Sequence, residues 1–176
     1  MRRVILTAAV ALAAGFASSA RAEEGFGFSL QGQVGAGQTA RDVKTDVNVV
    51  YGLILGFHFL GPLGVEADYQ HAENDVSGGH GTIKQDGIFG HVRLDIGHAV
   101  VVPFLYAGVG WVHFHGTAAA VSGGADRAVI PGGVGLEFQA KPLVVGARAE
   151  YQWNTQTIAS QHVDFWKAVG TVGFQF

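Results

Sequence analysis

The chain has 176 residues, which suits a single domain, and 48% of them are hydrophobic while only 14% are charged. The formal net charge of −3 argues against nucleic-acid binding, which requires a clustered basic surface. The chain has no cysteine, so an exported domain needs a source of stability other than disulfides, such as the backbone hydrogen bonds of a closed sheet.

The N-terminal segment has the three parts of a secretory signal peptide. Arginines precede the apolar stretch Val4–Phe16, and small residues then lead to an Ala-x-Ala site that ends at Ala22. This stretch is shorter than the roughly 20 residues of a membrane-spanning helix, and no charged stop follows it, which disfavours a membrane anchor. We therefore expect removal of residues 1–22 and a mature domain of residues 23–176.

Eight segments of two-residue alternation follow, each with an apolar face and a small or polar face, as in strands that are buried on one side. The predicted strands cover residues 26–37, 47–60, 63–70, 83–95, 103–113, 133–139, 143–154 and 166–176. The fifth segment is apolar on both faces, and we take its odd residues, including Trp111, to point outward. Pro131 cannot donate to a strand ladder, so we expect it at a bulge or above the membrane band.

The connections alternate in length along the chain. Those near Gly61, Gly97 and Lys141 are short. The longer, polar connections are residues 38–46, 73–82, 116–126 and 155–163. Short turns at one end and longer loops at the other are typical of outer-membrane barrels. An even number of strands places both chain ends on the side of the short turns.

A soluble β-sandwich also alternates, with its apolar face in the core and its polar face in water. Three features favour a membrane barrel instead. The polar faces consist mainly of glycine, serine, glutamine and threonine, the apolar faces persist for about the length of a membrane-crossing strand, and the aromatic residues lie at strand ends. Because lipid cannot satisfy free backbone groups, such a sheet must close. The predicted fold is an all-β, eight-stranded antiparallel up-and-down transmembrane β-barrel.

Aromatic residues at the strand ends match the two interfacial girdles of a membrane barrel. The predicted girdle residues are Tyr69, Trp111, Tyr151, Trp153 and Trp166 at the upper ends and Phe57, Phe59, Phe174 and Phe176 at the lower ends.

Charged residues on the inward faces predict a lumen charge network. Its predicted members are Glu66, Asp68, Arg93, Glu137, Arg148, Glu150 and Lys167, with Asp95 on the same face. An interior of eight strands is just wide enough for side chains, and an unpaired buried charge is costly, so these residues should pair. The expected ion pairs are Arg93 with Glu66 or Asp68, Arg148 with Glu137, and Glu150 with Lys167. We favour a structural plug over an ion path or gate.

The serines offer little support for an enzyme, since nucleophilic catalysis needs a serine within reach of a base. Ser29 points inward near the bottom of its strand, and the remaining mature serines lie in loops. Ser160 and His162 share a loop, which is only weak evidence for a catalytic pair. We predict no catalytic residue.

Eight histidines are many for this length. His113 and His115 share one face at the top of the fifth segment, and His71, His80 and His162 can approach the same rim. Imidazole suits zinc or copper, so a loop metal site is an open alternative. Solvated or interfacial histidines are the favoured explanation, and we predict no metal or cofactor.

Four motifs resemble those of the outer-membrane β-barrel family that includes the transmembrane domain of outer membrane protein A and the small surface-antigen barrels. They are Pro103–Gly110, Gly132–Phe138, Ala147–Tyr151 and Val172–Phe176, which resemble the fifth, sixth, seventh and eighth strands of the family. The resemblance implies that Phe174 and Phe176 form the C-terminal signal read by the barrel-assembly machinery, although the glycine of that signal is displaced. Members of this family act as anchors, adhesins, surface antigens or narrow pores.

The expected protein is a non-enzymatic, monomeric bacterial outer-membrane barrel with a filled polar lumen and four extracellular loops. Its expected partners are outer-membrane lipid and, during export, periplasmic chaperones and the barrel-assembly machinery, with no nucleic acid and no extracellular ligand that can be named. A narrow porin-like channel for small solutes is the first alternative, and a lipid A-modifying enzyme is the least favoured one.

Overall fold

The computed structural model describes residues 26–41, 45–59, 61–75, 81–96, 100–116, 124–155 and 163–176. The predicted signal peptide, His80 and His162 lie outside these ranges, so their interpretation stays a prediction. The described part of the chain contains no helix with the length and apolarity needed to cross a membrane.

Eight antiparallel strands form one closed barrel in chain order, with β1 paired to both β2 and β8. The strands are β1 (Phe26–Arg41), β2 (Asn48–Phe59), β3 (Leu63–Asp75), β4 (Thr82–Asp95), β5 (Val101–Gly116), β6 (Ala125–Ala140), β7 (Leu143–Asn154) and β8 (Val163–Gln175). This confirms the predicted fold class. Closure gives each strand two hydrogen-bonded neighbours, so the sheet has no free edge.

Several strands extend beyond their predicted segments at the end that carries the longer connections. β1 continues to Arg41, β3 to Asp75 and β5 to Gly116, whereas we expected loops there. These extensions contain the polar and small residues that are typical of loops. They nevertheless form backbone pairs with the neighbouring strands, so the sheet extends above the apolar band.

Side chains alternate between an exposed apolar outer face and a buried lumen. In β3, Val65 and Tyr69 are exposed, whereas Glu66 and Asp68 between them are buried. The odd residues of β5 point outward, as predicted. Trp111, for example, has 57% of its surface exposed. The even residues of β5 therefore point into the lumen.

Two apolar clusters lie among the inward side chains, which the sequence analysis did not predict. Ile83, Phe89, Val112, Phe114, Val129 and Val163 form the first, and Val50, Ala72, Phe165 and Val169 form the second. Buried polar side chains such as Asn74 and Gln85 lie directly beside Ile83 and Phe114, so the upper lumen is mixed.

Pro131 interrupts the ladder between β5 and β6 without shifting its register. Ala107 pairs with Gly132 on one side of the interruption and Gly110 pairs with Val129 on the other, so two residues of each strand lie between. No extra residue is inserted, so of the two expectations for Pro131 the bulge is wrong, and a position above the membrane band stays a prediction. The missing N–H of proline accounts for the gap in pairing.

Two short turns close the lower end of the barrel at proline-containing sequences. Gly61, which precedes Pro62, has a φ of 66° in the turn between β2 and β3. This left-handed conformation favours glycine because it has no Cβ. The turn between β6 and β7 contains Pro142 after a cis peptide bond.

Two neighbouring glycines provide a matched test of how closely the strands approach. A Cβ on Gly108, which lies on the inward face of β5, would be 1.9 Å from the carbonyl oxygen of Gly90. A Cβ on Gly90, on the outer face, would have no heavy atom within 4 Å. We expect Gly108→Ala to lower the free energy of unfolding by about 1–3 kcal/mol, because the ladder must shift. Gly90→Ala should change it by less than about 0.5 kcal/mol.

Urea unfolding in lipid vesicles, followed by tryptophan fluorescence, measures both variants. Equal stability of the two proteins would contradict this close packing of β4 against β5.

Candidate functional site in the barrel lumen

Four charged residues on four different strands meet in the lower lumen: Glu66 (β3), Arg93 (β4), Glu137 (β6) and Arg148 (β7). Each is at most 4% exposed. Each also faces a glycine on a neighbouring strand, in the pairs Gly56–Glu66, Gly64–Arg93, Gly135–Arg148 and Gly146–Glu137. A glycine beside each long side chain leaves it room in a narrow interior.

These four side chains form a closed set of contacts, which we call the arginine–glutamate ring. The two Arg93 Nη atoms donate to the two Glu137 carboxylate oxygens at 2.7 and 2.6 Å. The two Arg148 Nη atoms likewise donate to Glu66 at 2.6 and 2.8 Å. Paired hydrogen bonds of this kind fix the planes of both groups as well as neutralising their charges.

The two ion pairs predicted for these arginines are also present, but as longer, single contacts. Arg93 Nη1 lies 3.2 Å from Glu66 Oε1, and Arg148 Nη2 lies 3.3 Å from Glu137 Oε1. Each arginine thus makes its two-pronged contact with the other glutamate. The cross-contacts join the two pairs into one ring.

Phe104 and two polar side chains complete the surroundings of the ring. The Arg93 guanidinium carbon lies 3.8 Å from the centre of the Phe104 ring, which is a cation–π contact. Asp95 accepts from Arg93 Nε at 2.6 Å, and Gln31 donates to Glu137 at 3.1 Å. Sequence reasoning missed Phe104 and Gln31, because neither carries a charge and the parity of β5 was ambiguous.

A second group of contacts, the lysine cluster, consists of Lys167, Asp68, Glu150 and Gln70. Lys167 Nζ lies 3.0 Å from Asp68, 3.3 Å from Glu150 and 2.7 Å from the Gln70 oxygen. The predicted Glu150–Lys167 pair is therefore present. Asp68 contacts Lys167 rather than Arg93, and it also accepts a hydrogen bond from Gln33.

Glutamines extend the polar network upward from the lysine cluster. Gln152 donates to Gln70 at 3.1 Å and to Glu150 at 2.8 Å, and Gln85 donates to Gln152 at 3.1 Å. Strict alternation along the strands already indicates that these amides point into the lumen. The sequence analysis identified only the charged residues of the lumen, and the glutamines were therefore missed.

The aromatic residues predicted for the girdles all occupy outward-facing positions of their strands, but their exposed fractions differ. Clearly exposed are Tyr69, Trp111, Trp153, Phe57 and Phe174. Partly buried are Phe59, Tyr151, Trp166 and Phe176. Tyr151 donates to Asp164 at 2.8 Å, and Phe176 packs against Phe28 with ring centres 6.5 Å apart. Phe176 also exchanges backbone hydrogen bonds with Phe28, so this residue belongs to the closing seam.

Histidines and acids form a separate group on the outer face at the end with the longer connections. His71 Nδ1 lies 2.8 Å from Asp86, and His113 Nδ1 lies 2.7 Å from Asp126. The rings of His113 and His115 have centres 5.5 Å apart. Within the described ranges, no three His, Cys, Asp or Glu residues are grouped so that they could hold a metal ion.

Comparison with known proteins gives a match over nearly the whole chain. A family model described as "Outer membrane protein beta-barrel domain" matches residues 7–176. No curated protein sequence matches the chain.

Several solved structures share the fold. Neisserial surface protein A has a TM-score of 0.73 at 14% identity, over 85% of this chain and 97% of that one. A major outer membrane protein from Thermus thermophilus has a TM-score of 0.62 at 12% identity, over 86% and 99%. Ail, the attachment invasion locus protein of Yersinia pestis, has a TM-score of 0.61 at 18% identity, over 88% and 100%. At these identities the likeness concerns the fold alone.

Removing one member of the arginine–glutamate ring should be far more costly than removing an exposed charge. Arg148→Met leaves Glu66 buried without its two-pronged partner, and we expect a loss of about 3–5 kcal/mol in the free energy of unfolding. The control is Lys84→Met, which removes an exposed contact with Glu73 at 3.1 Å and should cost about 0–1 kcal/mol. Urea unfolding in vesicles measures both.

The double variant with Arg148→Met and Glu66→Gln removes both charges, so it should recover part of the loss. A double variant less stable than Arg148→Met would contradict the assignment of Glu66 as the unpaired charge.

Proposed function

The chain belongs to the outer membrane protein β-barrel domain family, and from this premise we propose that it is a non-enzymatic surface or structural protein with a closed lumen. The family places it in the bacterial outer membrane. In this proposal the barrel is an anchor that presents four extracellular loops, and the filled lumen maintains the structure of the barrel rather than transporting solutes.

The arginine–glutamate ring is the observation that carries the proposal. Its four side chains come from β3, β4, β6 and β7, so contacts of 2.6 to 3.3 Å connect opposite parts of the barrel wall across the lumen. The interior of an eight-stranded barrel is only just wide enough for side chains. A set of paired charges across that width leaves little room for a solute.

The bulky apolar side chains of the lumen support the same conclusion. Phe89, Phe114 and Phe165 are each at most 2% exposed and pack in the two apolar clusters. Their rings narrow an interior that is only just wide enough for side chains. The narrow channel is therefore the weaker alternative.

The described side chains also favour a non-enzymatic role. Ser29 is the one serine within the described residues, and it is buried in the lumen at 2% exposure. Its hydroxyl makes no hydrogen bond to a histidine, and a lipid substrate outside the barrel could not reach it.

The remaining parts of the proposal concern partners and export. The outward apolar residues would contact outer-membrane lipid, and a single closed barrel needs no second copy to satisfy its backbone, which fits a monomer. Residues 1–22 would direct export, with periplasmic chaperones and the barrel-assembly machinery acting before folding. Phe174 and Phe176 would serve as the assembly signal, at the seam where β8 meets β1.

Planar-bilayer recording tests the closed lumen. The protein should show no steady, discrete openings, because the paired side chains of the arginine–glutamate ring span the lumen. Replacing both arginines (Arg93→Ala with Arg148→Ala) should produce a cation leak, since two carboxylates then face vacated space. Val34→Ala on the outer face is the control and should stay silent. Steady openings of the unmodified protein would refute the plug and favour the channel.

Mass spectrometry of lipid A tests the absence of enzymatic activity. Expression of the protein in an outer-membrane host should leave the masses of the lipid A species unchanged, because no described serine can serve as a nucleophile at the lipid interface. Loss or transfer of an acyl chain, absent from an empty-vector strain, would establish the enzyme alternative.

A further inference from the structure

We propose that His113 and His115 bind one first-row transition-metal ion, such as Zn²⁺ or Cu²⁺, on the outer face of β5. This site is separate from the lumen, and it does not depend on whether the lumen conducts. The inference rests on the spacing of the two rings, on the carboxylates beside them and on their accessibility.

The two imidazoles already stand at the separation that a shared metal ion requires. Residues two apart in a strand point to the same face, and the ring centres of His113 and His115 are 5.5 Å apart. Imidazole nitrogens bind Zn²⁺ at about 2.0–2.1 Å, so two rings on one tetrahedral ion have centres about 5 to 5.5 Å apart. The rings are tilted by 32°, and rotation about side-chain bonds can direct both Nε2 atoms to one point.

A carboxylate lies beside the Nδ1 atom of each ring. Asp126 Oδ1 is 2.7 Å from His113 Nδ1, and Asp86 Oδ2 is 3.9 Å from His115 Nδ1. An ionised carboxylate can only accept, so a neutral His113 donates from Nδ1 and keeps a lone pair on Nε2. For His113 this is the arrangement in which metal-binding histidines are commonly held, with a carboxylate orienting the ring from behind, whereas Asp86 adds only nearby negative charge at His115.

The site is open to solvent. The side chains of His113 and His115 are 51% and 43% exposed, and both line an outer pocket of about 590 Å³. They follow Trp111 on the same face of β5, toward the end with the longer connections. Lys84 also lines the pocket, but its ammonium group is 3.1 Å from Glu73, which offsets its repulsion of a cation.

Two protein ligands leave positions for water on the ion. The described residues contain no group of three candidate ligands, so a closed structural site of four ligands is not available there. An exchangeable ion of moderate affinity is the corresponding expectation.

The test uses Cu²⁺ titrated into the mature protein, folded in detergent and carrying no polyhistidine tag. Calorimetry should give one Cu²⁺ per chain, and electron paramagnetic resonance should show coupling to two imidazole nitrogens. His113→Gln and His115→Gln should each weaken binding by about tenfold or more. His71→Gln is the matched control: residue 71 lies on β3, and the glutamine amide can still donate to Asp86, so binding should be retained.

Heat-modifiable gel migration verifies that each variant forms the barrel. If a variant fails to fold, the unmodified protein still supplies a readout, because bound Zn²⁺ should protect His113 and His115 from diethyl pyrocarbonate while leaving His71 reactive. Three results would each overturn the proposal: no Cu²⁺ binding, binding retained when both histidines are replaced, or no protection of the pair by Zn²⁺.

Discussion

The need to satisfy every backbone hydrogen bond away from water is the constraint on which this structure depends. A strand in hydrocarbon has no solvent to accept from its N–H groups, so the sheet must return to its first strand. Here β1 meets β8 over Ser29 to Arg41, and Phe176 completes the seam by bonding to Phe28. Once eight strands close, the width of the interior is set, and every inward residue has to fit that width.

The narrow interior explains why small and large residues face one another across neighbouring strands. Arg93 stands opposite Gly64, and Phe104 stands opposite Gly135, where a Cβ would lie only 2.1 Å from the Phe104 ring. Glycine weakens an isolated strand, but here it provides the space in which a neighbouring long or aromatic side chain lies. The abundance of glycine is therefore a consequence of closure at eight strands.

Alternation alone was enough to predict the eight strands, their pairing in chain order and which charges enter the lumen, but not how far the strands extend toward the longer connections. It also gave the Glu150–Lys167 pair, because these residues are direct partners on β7 and β8. It could not give the two-pronged contact of Glu66 with Arg148, because β3 and β7 are not neighbours and the contact crosses the lumen. Contacts of that kind depend on side-chain length and barrel diameter, which strand register does not encode. The apolar clusters of the lumen were missed for a related reason: β5 is apolar on both faces, so its periodicity does not distinguish the lumen from the lipid side.

The buried charges are better explained as a means of fixing the register of the strands than as a source of net stability for the barrel. A fully paired ring in a low-dielectric interior offsets its own desolvation, so an apolar lumen of the same volume could be equally stable. A slip of one residue in β4 or β7 would, however, turn Arg93 or Arg148 toward lipid, because each step in register exchanges the two faces of a strand. An arginine facing lipid costs from about 0–1 kcal/mol near the interface to about 2–4 kcal/mol at the midplane, and its former partners would be left unpaired as well. The ring therefore penalises the alternative registers that a glycine-rich, weakly patterned strand would otherwise permit, and this role requires neither conduction nor catalysis.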